Sequence, residues 1–69
     1  MTGTISFNGE SRPYADQTVR ELLAACGIDP EHPGIAVAVN AGVTPRAEWA
    51  TKRLKPGDRV EVVQAKAGG

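Results

Sequence analysis

One cysteine, Cys26, and one histidine, His32, are the only thiol and imidazole ligands in 69 residues. A lone cysteine closes no internal disulfide, so nothing points to secretion. With no Cys-x-x-Cys and no histidine pair at ligand spacing, a metal centre is not expected either. Aromatic residues are equally scarce. Phe7, Tyr14 and Trp49 stand far apart, which excludes a base-stacking platform. Neither sign of charge is in surplus, because eight Lys+Arg balance eight Asp+Glu. Without spare cations neither nucleic acid nor an anionic membrane is expected as a partner. No apolar run approaches membrane-spanning length, and residues 1–8 have neither the cationic start nor the apolar stretch of a signal peptide. The expected location is the cytoplasm.

What remains is 41% apolar and 23% charged, the balance of one small soluble domain. A core of this size supplies only ~3–5 kcal/mol, so a deep catalytic pocket is not expected. Such a chain more often presents a surface or a tail to something larger.

Residues 4–8 alternate, with Ile5 and Phe7 on one face and Thr4, Ser6 and Asn8 on the other, which predicts a half-buried strand. Asn8-Gly9 signals a tight hairpin, and residues 10–14 return as a second strand that Pro13 places at an edge. Thr18 followed by Glu21 fits a capping box. Val19, Leu22, Leu23 and Cys26 recur at i, i+3, i+4 and i+7, so the spacing predicts a helix over 19–26 ended by Gly27. Two prolines and a glycine mark 29–34 as a loop. Ile35, Val37 and Val39 alternate with Ala36 and Ala38 in a third strand. Asn40-Ala41-Gly42 turn the chain, and Val43-Thr44-Pro45 form a short fourth strand. Residues 46–54 read as a short helical or 3₁₀ segment with Trp49 packed inward. After a turn at Pro56-Gly57-Asp58, residues 59–65 make the final strand, Val60 and Val62 opposing Arg59, Glu61 and Val63. The first and last strands are expected side by side at the centre. One helix over one face of a mixed four- to five-stranded sheet is an α+β arrangement of β-grasp, or ubiquitin-like, topology. Residues 1–65 are expected to form this domain and 66–69 a flexible tail.

No catalytic residue is assigned within the domain. Cys26 falls at the helix C-terminus, where the dipole disfavours a thiolate, and on the apolar stripe, where it acts as a small hydrophobe. The eight glycines form no Gly-x-Gly-x-x-Gly or Gly-Lys-Ser/Thr pattern, so the chain has no nucleotide cradle of its own. His32 has no partners for a triad, and Asp16, Glu21, Glu31 and Glu48 read as charges on caps, turns and exposed faces. The tail is different. Lys66-Ala67-Gly68-Gly69 directly follows a strand. Two residues without Cβ make the thinnest backbone available, able to thread a narrow channel and set the Gly69 carboxylate against another protein's reactive centre. A carboxylate is a poor electrophile and needs activation, typically as an acyl-adenylate. A partner must supply the ATP site.

These features together resemble the thiamine-biosynthesis sulfur-carrier proteins, small ubiquitin-like chains ending in Gly-Gly. The resemblance runs through Phe7-Asn8-Gly9, Thr18-Val19, Leu22-Leu23 and Ala38-Val39-Asn40. It continues in Val43, Pro45-Arg46, Trp49, Gly57-Asp58 and Val60-Glu61-Val62, and closes at Gly68-Gly69. It implies that an adenylating enzyme, similar to ubiquitin-activating enzymes, uses ATP to convert the Gly69 carboxylate to an acyl-adenylate. Persulfide sulfur from a cysteine desulfurase or another donor then displaces AMP, and thiazole synthase takes sulfur from the resulting thiocarboxylate. On this view Gly68, Ala67 and Lys66 thread the partner's active site, and the chain is a co-substrate without a cofactor of its own. Thr44, where the family often has Val, and Gly42 are mild departures. Lys66 and Ala67 do not discriminate between subfamilies.

With Ile5, Phe7, Ile35, Val37, Val39, Val60 and Val62 facing the helix, the opposite face shows Ser6, Ala36, Ala38, Glu61 and Val63. Solvent-facing strand positions ordinarily carry long polar groups, so small apolar ones make a smooth patch suited to docking. This face is expected to bind the adenylating enzyme while the tail enters its active site. Arg46 and Trp49 are read as structural anchors rather than partner contacts. Other readings stay open: the small subunit of molybdopterin synthase, a protein modifier joined through Gly69, and a binding module whose glycines are incidental. Length and the Pro-Arg-x-x-Trp segment favour the thiamine branch.

Overall fold

The computed structural model describes residues 3–65, and the tail expected at 66–69 lies outside this range. Strand β1 (Thr4–Phe7) turns at Asn8-Gly9 into β2 (Glu10–Pro13), and helix α1 (Val19–Ala25) follows. Then come β3 (Ile35–Val39), β4 (Gly42–Thr44), a 3₁₀ turn (Arg46–Glu48) and β5 (Arg59–Gln64). The five strands lie in the order β2-β1-β5-β3-β4. β5 runs parallel to β1 and antiparallel to β3, so the first and last strands meet at the centre, as expected. Pro13 sits on an edge strand, where its missing N–H costs no ladder bond. The topology is the β-grasp, with one helix on one face.

Period-two and helical patterns converge on a single core. Ile5, Phe7, Val37, Val39 and Val60 point from the sheet onto Val19, Leu22 and Leu23, and Trp49 and Leu54 close it from the return segment. The helix start is fully provided for. Thr18 N–H donates to Glu21 Oε1 at 2.8 Å, and Glu21 N–H to Thr18 Oγ1 at 3.2 Å. The next two amides, Val19 and Arg20, donate to the carbonyls of Lys52 and Trp49 at 2.9 and 3.0 Å. The return segment therefore satisfies the amides that a helix start leaves unpaired. At the other end α1 stops one residue earlier than its apolar stripe predicts. Cys26 is the C-cap, half-buried against the core, and Gly27 takes φ +78°. Ile28 N–H reaches back to the Leu23 carbonyl and Gly27 N–H to the Ala24 carbonyl, the paired bonds of a Schellman ending.

The β3–β4 turn is tighter than its sequence suggests. Only Asn40 and Ala41 form it, with φ 52° and 70°, and Gly42 already pairs with Val39. Asn40 fits this geometry, but Ala41 forces a Cβ into the left-handed region. Ala41→Gly is expected to raise stability by about 0.5–1 kcal/mol, the relieved strain exceeding the entropy that glycine adds to the unfolded chain. A urea midpoint unchanged or lowered would contradict this.

Two asparagines tie the turns to β5. Asn40 Nδ2 donates to Asp58 Oδ1 at 3.0 Å, and Asn40 Oδ1 accepts from Arg59 N–H at 2.9 Å, while Asp58 Oδ2 accepts from Lys55 N–H. Asn8 Oδ1 accepts from Val62 N–H at 2.8 Å, extending the parallel β1–β5 ladder with a side chain.

Candidate functional site

The sheet face away from α1 carries the predicted docking residues together. Cross-strand partners place Ala36 beside Val63 and put Ala38 between Glu61 on β5 and Val43 on β4. Strand β3, flanked by β5 and β4, thus contributes two methyl groups where its neighbours contribute valines and a glutamate. That difference in side-chain size makes a shallow trough of about 270 Å³, lined by Ala36, Ala38, Val43, Glu61 and Val63 over the Val37 backbone. Val43 is 79% exposed and Val63 66% exposed, the large hydrophobics that stand out among the described residues. Two valines this open, flanking an alanine floor, form a binding surface more readily than a solvated one.

Ser6 lies on the same face, paired with Arg59 and away from the trough. Val43 is the residue the sequence reading left out of the patch. Its place depends on register: a two-residue turn at Asn40-Ala41 sets Ala38 opposite Val43, whereas a three-residue turn leaves the pairing open. Among the trough's side chains, Glu61 alone carries charge. A partner that fills this surface must cover methyl groups and meet one carboxylate.

The trough leads to the end of β5. Ala36 and Val63 form its last cross-strand row there, Ile35 pairs with Gln64, and Ala65 N–H donates to the Gly34 carbonyl at 2.8 Å. Residues 66–69 begin at that point, so Lys66, Ala67, Gly68 and Gly69 follow in sequence from the strand that borders the trough. Their own positions lie outside the described residues.

Arg46 and Trp49 sit away from this face and hold the fold. Trp49 is 2% exposed, and its Nε1 donates to the Thr44 carbonyl at 2.9 Å. Arg46 lies over the indole at 4.5 Å and donates to the carbonyls of Pro30 and His32. One guanidinium thereby staples the proline-rich loop to the 3₁₀ turn, with a cation–π contact beneath it. The carboxylates have similarly local roles. Glu21 caps α1, Glu31 pairs with Arg20 at 2.7 Å and Asp16 with Arg53 at 3.2 Å, both pairs at the surface where they add little. Among the described residues no three His, Cys, Asp or Glu side chains converge on a metal position, and no helix is long and apolar enough to cross a membrane.

Residues 5–69 match the model of the ThiS family. The sulfur carrier protein ThiS of Escherichia coli is 38% identical over 66 residues, covering 94% of this chain and 97% of that protein. A protein of Paramagnetospirillum magneticum named thiazole synthase is 34% identical over 64 residues, which span 91% of this chain and 19% of that one. Among solved structures, a thiamine biosynthesis protein (ThiS) from Geobacter metallireducens superposes with a TM-score of 0.78 at 26% identity, covering 96% of this chain and 99% of the other.

Proposed function

The chain belongs to the ThiS family of sulfur carriers in thiamine biosynthesis, and from that membership we propose that it carries sulfur as a thiocarboxylate on Gly69, loaded by an adenylating enzyme docked on the trough. The observation that carries this reading is continuity: an apolar, concave sheet face ends where the glycine-tipped segment begins. A partner gripping the trough then has the chain end within reach of its own active site. The protein is a co-substrate, and ATP binds to the partner.

The chemistry follows from the electrophile that must be made. A carboxylate oxygen of Gly69 attacks the α-phosphorus of ATP and pyrophosphate leaves. The terminal sulfur of a persulfide, held by a cysteine desulfurase or another donor, attacks the acyl carbon and expels AMP. A second thiol then cleaves the S–S bond of the acyl disulfide and leaves the thiocarboxylate. That group is ionised near neutral pH, with its charge on a soft, nucleophilic sulfur. Glycine at both final positions leaves no side chain over the carbonyl under attack.

Thiazole synthase is the proposed acceptor. A stretch similar to nearly all of this chain lies within a protein of that name, which supports the choice. Family membership likewise favours thiazole formation over the molybdopterin branch or a protein modifier. These events are placed in the cytoplasm.

Intact mass after incubation with adenylating enzyme, ATP and a persulfide donor tests the proposal. The expected result is exchange of one oxygen for one sulfur, mapped to Gly69 by fragmentation. Attachment to lysines of other proteins would identify a modifier instead, and an unchanged mass would remove the carrier chemistry altogether.

A further inference from the structure

The β3–β5 ladder continues one bond beyond the named strands, where Ala65 N–H meets the Gly34 carbonyl. Gly34 has φ +83°, and a Cβ placed on it would stand 3.1 Å from the Ala65 carbonyl oxygen and 3.5 Å from the Ala65 Cβ. Two constraints coincide there: a left-handed backbone and a neighbouring chain so close that a Cβ would push the Ala65 carbonyl away by a few tenths of an ångström. Gly9, Gly27 and Gly57 share the positive φ, but nothing lies within 4 Å of a Cβ at any of them. Glycine at 34 therefore serves the approach of Ala65 as well as the turn.

We infer that Gly34 is a positioning residue for sulfur loading: its carbonyl latches Ala65 and fixes where, and in which direction, residues 66–69 leave the sheet. This rests on the trough and tail reading proposed above. The four residues after the latch span at most about 14 Å, so the point of departure decides what the chain end reaches. Releasing Ala65 lengthens the leash by about 3.5 Å and frees its direction. Reactions that depend on orientation lose as much as ~100-fold for a misplacement of about 1 Å. The trough does not include Gly34, so grip and delivery are separable.

The test compares Gly34→Ala with Gly27→Ala. Both put a Cβ at nearly the same φ, +83° and +78°, so backbone strain is matched, and only the first crowds Ala65. In the free carrier, amide hydrogen exchange at Ala65 is expected to be slow in the wild type and in Gly27→Ala and to accelerate in Gly34→Ala. Carrier-dependent ATP–pyrophosphate exchange with the adenylating enzyme is expected to show kcat lowered about tenfold or more by Gly34→Ala, with KM for the carrier unchanged. Ala65→Pro deletes the donor while Gly34 stays a glycine and is expected to reproduce the kcat loss, which keeps the test decisive if Gly34→Ala folds poorly. Equal kcat in Gly34→Ala and Gly27→Ala, a change confined to KM, or an unprotected Ala65 amide in the wild type would each overturn the latch. Absence of any exchange with the wild-type carrier would instead overturn the adenylation reading, and this role with it.

Discussion

Trp49→Ala is expected to leave the domain largely unfolded in water at room temperature. The indole is the largest fully buried side chain, and emptying such a site costs about 3–5 kcal/mol. A single-core domain of this length has only ~3–5 kcal/mol to lose. The damage also reaches beyond volume. The Thr44 carbonyl loses its indole donor, and Arg46 loses the ring on which it lies while holding the Pro30 and His32 carbonyls. Trp49→Phe separates these contributions, since it keeps an aromatic ring but removes the N–H, and is expected to cost about 1–3 kcal/mol. Urea denaturation followed by far-ultraviolet circular dichroism reads both variants. A wild-type midpoint for Trp49→Ala would show that the 3₁₀ turn is peripheral to the core.

Val63→Asp is expected to raise KM for the carrier in adenylation by roughly 30- to 1000-fold, because an uncompensated charge buried in an apolar interface costs about 2–4 kcal/mol. Val63 is 66% exposed in the free chain, so the domain itself is expected to lose no more than about 1 kcal/mol, the ordinary range of strand propensity. Ala36→Arg, on the cross-strand partner, fills the trough floor from β3 and is expected to act in the same direction. At saturating carrier kcat should recover, since neither substitution alters the chain end. Normal KM in both variants would move the docking surface elsewhere.

The sequence made the architecture readable wherever one physical period dominated. The capping box at Thr18 and Glu21, the stripe of Val19, Leu22 and Leu23, and the alternation in β1, β3 and β5 each admit one solution, and the first and last strands lie side by side at the centre as expected. The alanine floor of the trough was legible for the same reason, since Ala36 and Ala38 occupy positions where solvent normally selects long polar groups. What stayed hidden depends on register and on contacts between distant segments. Val43 joins the trough only once Asn40 and Ala41 are known to turn by themselves. The Asn40–Asp58 and Asn8–Val62 bonds link residues that look like independent turn formers in the sequence. The Gly34–Ala65 approach unites a loop glycine with the last residue before the tail, and no local pattern announces it.

The parallel pairing of β1 with β5 also determines which end of the molecule tolerates additions. Thr4 lies level with Gly57, whose N–H it accepts at 2.7 Å, whereas β5 runs on to Gln64. At about 3.3 Å per residue this separates the start of β1 from the exit of β5 by roughly 20 Å along the sheet. An affinity tag, a dye or a whole fused domain placed ahead of Thr4 would therefore attach at the pole opposite the exit of β5.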